Sequence, residues 1–146
     1  MIVAGIVPWL LTRWEADDQP LALKGLGVIV LAAGAALVLE TTGRFALQGR
    51  GTPAPWAPPE CFVERGSYRF VRSPMYLGVI LLIVGQALVL GREILYLWAV
   101  AAWVIFEASL LLWEEPGLRL RFGDDYDDYR RRVHRWLPTR PRSPRY

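Results

Sequence analysis

The chain has 146 residues, of which 53% are apolar and seven are tryptophan, and carries a formal net charge of +3. That length allows one domain, and the apolar content places it among membrane proteins rather than soluble globules. The lone Cys61 excludes an intramolecular disulfide, and no Cys/His spacing fits zinc, so no metal is expected.

Four apolar stretches follow in chain order, Ile2 to Leu11, Leu26 to Leu39, Met75 to Leu90 and Ile94 to Trp113, with nearly all charges between them. A membrane-crossing helix needs about 20 mostly apolar residues, and about 17 at the least. The fold class expected is therefore all-α, a bundle of about four transmembrane helices in one domain over residues 1–146. The first stretch is short for a span. Because Met1 leads directly into it and no small-residue cleavage site follows, it reads as retained rather than as a cleaved signal.

Orientation follows from the basic residues. Fourteen fall in the segment from Thr41 to Ser73 and in the tail, against only Arg13, Lys24 and Arg92 elsewhere. The positive-inside rule then puts the central loop, the tail and both termini in the cytoplasm. The central loop contains Thr52-Pro-Ala-Pro-Trp-Ala-Pro-Pro59, which favours an extended spacer over a helix. Gly91-Arg92-Glu93 is so short a connection that the last two apolar helices must form an antiparallel hairpin. After Pro116, Leu118, Phe122, Tyr126, Tyr129, Val133 and Trp136 recur every three or four residues. That spacing predicts an amphipathic helix on the cytoplasmic face, briefly broken at Gly123 and ended by Pro138, with acids at its start and arginines at its end.

Acids within or beside an apolar helix are the first candidates for chemistry, since a carboxylate at bilayer depth costs about 2.5–3.5 kcal/mol on insertion scales. Glu107 and Glu114 lie seven apart and share a helical face, which Glu115 broadens. The plainer alternatives are that Glu107 bonds Gln86 of the neighbouring helix and that Glu114 and Glu115 pair with arginines of the tail. A second group is the approach to the third apolar helix, where Ser73 and Pro74 have the residue types of a helix start. Free backbone N–H groups and Arg72 there would suit a ligand carboxylate. Arg69, Arg72 and Tyr76 also fit the role of interfacial anchors. His134 reads as a surface residue, and no nucleophilic triad is present.

Taken together, Gly66-x-Tyr68-x-x-x-Arg72-x-Pro74-x-Tyr76-x-Gly78, an apolar hairpin, Glu114-Glu115-Pro116, Arg121-Phe122-Gly123-x-x-Tyr126-x-x-Tyr129 and Arg135-Trp136-Leu137-Pro138 closely resemble the isoprenylcysteine carboxyl methyltransferase and phospholipid methyltransferase group. The resemblance covers about residues 20 to 138. It implies a membrane enzyme that binds S-adenosylmethionine through a part spanning about residues 62–138. Its substrate would be a lipophilic small molecule or lipid that enters from the bilayer. By this resemblance Tyr68, Arg72, Ser73, Pro74, Tyr76, Gly78, Glu114 and Glu115 bind the cofactor, and Arg72 and Glu114 are catalytic candidates; Glu107, singled out by its place in an apolar helix, is a third, since Glu107 or Glu114 is the nearest base for an acceptor that must lose a proton. The chain departs from the pattern at Ser73, where isoprenylcysteine enzymes usually carry histidine and phospholipid-type members commonly asparagine. Gly25-Leu-Gly27 is a candidate for the Gly-x-Gly segment of phospholipid members. Two other classes fit the same hydropathy: a small transporter coupled through Glu107, and a non-catalytic membrane scaffold. No nucleic-acid partner is expected, and the oligomeric state is open.

Overall fold

A computed structural model describes residues 2–13, 15–48 and 66–138, without the side chains of residues 45–48, 66 and 68. Every regular element among the described residues is helical, with no strand. A π-helical turn over Ile2–Ile6 runs into α1 (Val7–Thr12), and α2 spans Leu21–Gln48. A 3-10 turn at Gly66–Arg69 precedes α3 (Pro74–Leu90) and α4 (Glu93–Ser109). A second π turn, Leu110–Glu114, then leads to α5 (Glu115–Phe122) and α6 (Asp124–Arg132).

Two helices are long and apolar enough to cross a bilayer: Leu21–Arg44, and the continuous run Glu93–Phe122. Ile2–Thr12 and Pro74–Leu90 are apolar but shorter. At about 1.5 Å rise per residue the first covers about half of a 30 Å hydrocarbon layer and the second most of it. The expected spacer at residues 52–59 and Cys61 lie outside the described residues.

The contacts divide the chain into two units, Met1–Val38 with Met75–Glu107, and Leu39–Pro74 with Ala108–Tyr146. In the first, α3 and α4 form the expected antiparallel hairpin. Ile83, Ala99 and Ala102 are buried together with Ala4, and Val79, Leu82, Trp98 and Phe106 pack around them. Tyr76, near the start of α3, stacks on Phe106, near the end of α4, with ring centroids 4.6 Å apart. Gly91 turns the hairpin with φ of 71°, a left-handed value open to glycine, and its N–H closes α3 on the Ala87 carbonyl. Side chains of the hairpin tie down the N-terminal π turn: Trp98 Nε1–H donates to the Val3 carbonyl and Gln86 Nε2–H to the Ala4 carbonyl.

Helix α2 meets α3 backbone to backbone. Gly27 and Gly34 on α2, seven residues apart, face Gly85 and Gly78 on α3. A Cβ at Gly34 would lie 2.8 Å from the Gly78 carbonyl oxygen, and one at Gly85 would lie 3.0 Å from the Gly27 carbonyl oxygen. Such close approach suits apolar surroundings, where packing rather than water exclusion joins helices. The Gly-x-Gly candidate thereby divides: Gly27 is packed against Leu88 and Val89, whereas Gly25 opens on empty space.

In the second unit the tail departs from the expected surface helix in three respects. Helix α4 does not stop near Trp113 but continues through the π turn, in which the Glu115 N–H reaches back five residues to the Leu110 carbonyl. That slip accommodates Pro116, which has no N–H to offer the α-helical ladder. The chain then bends at Gly123, where a break was expected and φ is 51°, but α6 ends at Arg132 rather than at Pro138. The apolar stripe consequently closes on itself: Tyr126, Tyr129 and Val133 are buried against Leu118 and Phe122 across the bend. The acids and arginines of α6 do sit at its first and last turns, as its dipole favours.

Candidate functional site

Glu115 is the centre of the second unit. Buried at the head of α5, it accepts from Arg72 Nη1 at 3.0 Å and from Arg135 Nη2, with Arg130 at 3.9 Å from its other oxygen. The side chains of Arg72 and Arg135 are each only 14% exposed. The desolvation of such a buried pair offsets much of its attraction, but breaking it by removing one partner is costly, because the other charge is left buried and unpaired. The pairing of a paired acid with tail arginines is thus formed at Glu115. The π turn explains why Glu115 takes this place, since it delays the helical phase by about one residue relative to an unbroken α-helix. Glu114, its half-buried neighbour, makes its own polar interaction.

Backbone pairing holds the arginines in place. The Arg72 N–H donates to the His134 carbonyl at 3.0 Å and the Ser73 N–H to the Arg135 carbonyl at 3.4 Å. Val71, Ser73 and Pro74 are buried in the same stretch, so Arg72 projects from a segment fixed on both sides. His134 therefore contributes through its backbone, and its side chain is exposed. Tyr126 closes the cluster. Burial pushes its phenol above the usual value of 10.0, the Glu115 carboxylate adds to that, and Arg72, which hydrogen-bonds the phenol, works against it.

Two buried donors of this cluster, Arg72 Nε and Arg135 Nε, are unmatched among the described residues. A buried N–H without an acceptor is uncommon and costs about 1–3 kcal/mol.

The sequence-derived site residues fall into two groups. Arg72, Ser73, Pro74, Glu114 and Glu115 belong to the second unit, where Arg72, Ser73 and Glu115 share the network just described. The side chain of Tyr68 lies outside the described residues. Tyr76, Gly78 and Glu107 belong to the first unit. There Tyr76 is occupied by its stack on Phe106 and Gly78 by its contact with α2, while Glu107 is half-buried on α4. Gln86, the partner considered for Glu107, directs its Nε2 to the Ala4 carbonyl, and its buried Oε1 has no hydrogen-bond partner among the described residues. Arg130 at the site was not singled out from the sequence. Nor was Glu40, near the end of the apolar stretch on α2, where an intramembrane acid is itself a signal.

A model of the phospholipid methyltransferase family matches residues 23–125, more than half of the chain. The chain is 32% identical over 80 residues to protein-S-isoprenylcysteine O-methyltransferase of Schizosaccharomyces pombe, covering 54% of this chain and 34% of that protein. It is 33% identical over 135 residues to methanethiol S-methyltransferase 1 of Bradyrhizobium diazoefficiens, covering 87% of this chain and 46% of that one. An uncharacterised Haemophilus influenzae protein is matched along its whole length, at 32% identity over 43% of this chain. No solved structure matches. The apolar helices and these relatives place the chain in a membrane-associated class whose named members here are methyltransferases. The chain belongs to the phospholipid methyltransferase family. It spans less than half the length of the two named relatives.

Proposed function

We propose that this protein transfers a methyl group from S-adenosylmethionine to a lipophilic or membrane-embedded acceptor. The observation that carries the reading is the buried Arg72, aligned by Glu115 and by backbone pairing with residues 134–135, whose Nε, like that of Arg135 beside it, has no acceptor among the described residues. The chemistry of this donor set fits S-adenosylmethionine, which would supply a methyl group already activated on a sulfonium sulfur. Arg72 holds the ligand carboxylate, and Ser73 and Pro74 begin the helix beside it. The negative charge that faces the ammonium and sulfonium comes from Glu114, because Glu115 is committed to Arg72 and Arg135.

Methyl transfer is a displacement that needs alignment and exclusion of water rather than a covalent intermediate. The residues therefore act by holding two reactants in line. Glu107, a half-buried acid on an apolar helix, takes the proton from an acceptor that must lose one, and its substitution by alanine should slow such acceptors while leaving cofactor affinity intact. The relatives support two acceptor types, a carboxylate on an isoprenylated cysteine and a small thiol, and both combine one nucleophilic atom with an apolar body. Four bilayer-associated helices with the site on the cytoplasmic side remain the topology that the basic residues favour.

The test is radiolabelled methyl transfer by the purified protein in lipid to a prenylated cysteine, short-chain thiols and an amine-headgroup phospholipid. Label should appear in one class and vanish with Arg72→Ala. Absence of transfer to every acceptor by protein that is folded and binds no S-adenosylhomocysteine would refute the reading.

A further inference from the structure

We infer that Glu40 is a positioning residue for the cofactor site, acting through Ser67 on the segment that carries Arg72; this rests on the function proposed above. Glu40 lies on α2 within the second unit, half-buried and on the apolar run Leu21–Arg44. Its carboxylate accepts from the Ser67 hydroxyl, from the Ser67 backbone N–H at 3.4 Å and from Arg44 Nε. The Ser67 carbonyl in turn accepts from the N–H groups of both Phe70 and Val71, each at 3.1 Å. Val71 is buried, and the next residue is Arg72, bonded to Glu115.

A series of hydrogen bonds therefore runs from α2 through the 3-10 turn to the Val71 N–H, one residue before Arg72. Such a series has a purpose at this point in the chain. Arg72 can meet a ligand carboxylate in a fixed direction only if its backbone is anchored on both sides. Residues 134–135 anchor it on one side. Ser67 is the anchor on the other, and Glu40 holds Ser67 by side chain and backbone together. Arg44, one helical turn away from Glu40, pairs with the same carboxylate along the helix. A charged acceptor serving both an O–H and an N–H is a strong form of such an anchor. Glu40 does not touch the ligand in this account, so its effect must be read through the site it orients.

The experiment is calorimetric binding of S-adenosylhomocysteine to the full chain in detergent, for wild type, Glu40→Ala, Ser67→Ala, the double variant and Glu40→Gln. Affinity should fall by roughly tenfold in each alanine variant, as loss of a charge-assisted hydrogen bond predicts. The double variant should be no weaker than the weaker single one, because both remove one contact. Glu40→Gln retains an acceptor for the Ser67 hydroxyl and should recover affinity to within about threefold of wild type, which a residue needed only for its charge would not do. Ser67→Ala removes a single hydroxyl, so it decides the matter even if Glu40→Ala fails to fold. Wild-type affinity in Ser67→Ala, or losses that add in the double variant, would overturn the inference while leaving the proposed function in place. Failure of the folded wild type to bind would overturn the proposed function itself.

Discussion

The two units are held together by opposite means. In Met1–Val38 with Met75–Glu107, apolar side chains and bare glycine backbone pack so closely that an added Cβ at Gly27, Gly34, Gly78 or Gly85 would crowd the facing helix. In Leu39–Pro74 with Ala108–Tyr146, the central contact is a buried carboxylate among arginines. The first arrangement is stable without orienting any polar group, as suits a scaffold in an apolar setting. The second fixes charged groups that well-packed hydrophobic residues could replace without loss of stability. Retaining them points to a use for charge in that unit.

The largest effect should come from breaking the second arrangement. Glu115→Leu leaves Arg72 and Arg135 buried without their shared carboxylate and should destabilise by about 3–5 kcal/mol, seen as a lower thermal midpoint and as faster proteolysis of the tail. Breaking the first should be milder: Gly34→Ala forces α2 off the Gly78 carbonyl, an overpacking costing about 1–3 kcal/mol by thermal unfolding in detergent. The comparison sharpens at Gly25 on the same helix, where a methyl group meets empty space. Gly25→Ala should stabilise by about 0.5–1 kcal/mol, since alanine is the better helix former.

Smaller still is the signature of Tyr126. With its phenol pKa raised in the folded state, the unfolded chain loses this proton first as pH rises. The contribution is therefore complete below about pH 10, the usual tyrosine value, and is lost as pH climbs through the higher folded value. Ultraviolet titration should show one tyrosine ionising late, and later again in Arg72→Ala, because the opposing cation is gone. Least of all, Asp127→Ala removes an ion pair to Arg119 at 3.3 Å whose arginine is 64% exposed, and should change stability by no more than about 0.5 kcal/mol.

Local features were readable in advance wherever one short segment determines them. The connection at residues 91–93 dictates the α3–α4 hairpin, Pro74 suits the first position of its helix, and the charges of α6 match its dipole. Contacts between distant residues were not readable. Nothing local selects Arg72 and Arg135 among the many arginines as partners of Glu115, 43 and 20 residues away. The same holds for Glu40 and Ser67, 27 residues apart. Two irregularities decided the rest. The π turn ahead of Pro116 places Glu115 among the arginines, and the left-handed bend at Gly123 folds the aromatic stripe inward. Glycines seven apart on both α2 and α3 were a visible signal of close helix packing, and Gly78 is one of them.

The central claim is that the cluster around Arg72 binds S-adenosylmethionine. Calorimetry of S-adenosylhomocysteine with detergent-purified wild type, Arg72→Ala and Glu114→Ala tests it directly. The account predicts saturable binding at one site in the wild type, lost in both variants while their helical content is unchanged; folded wild type that binds nothing, or an Arg72→Ala variant that binds as well as wild type, would contradict it.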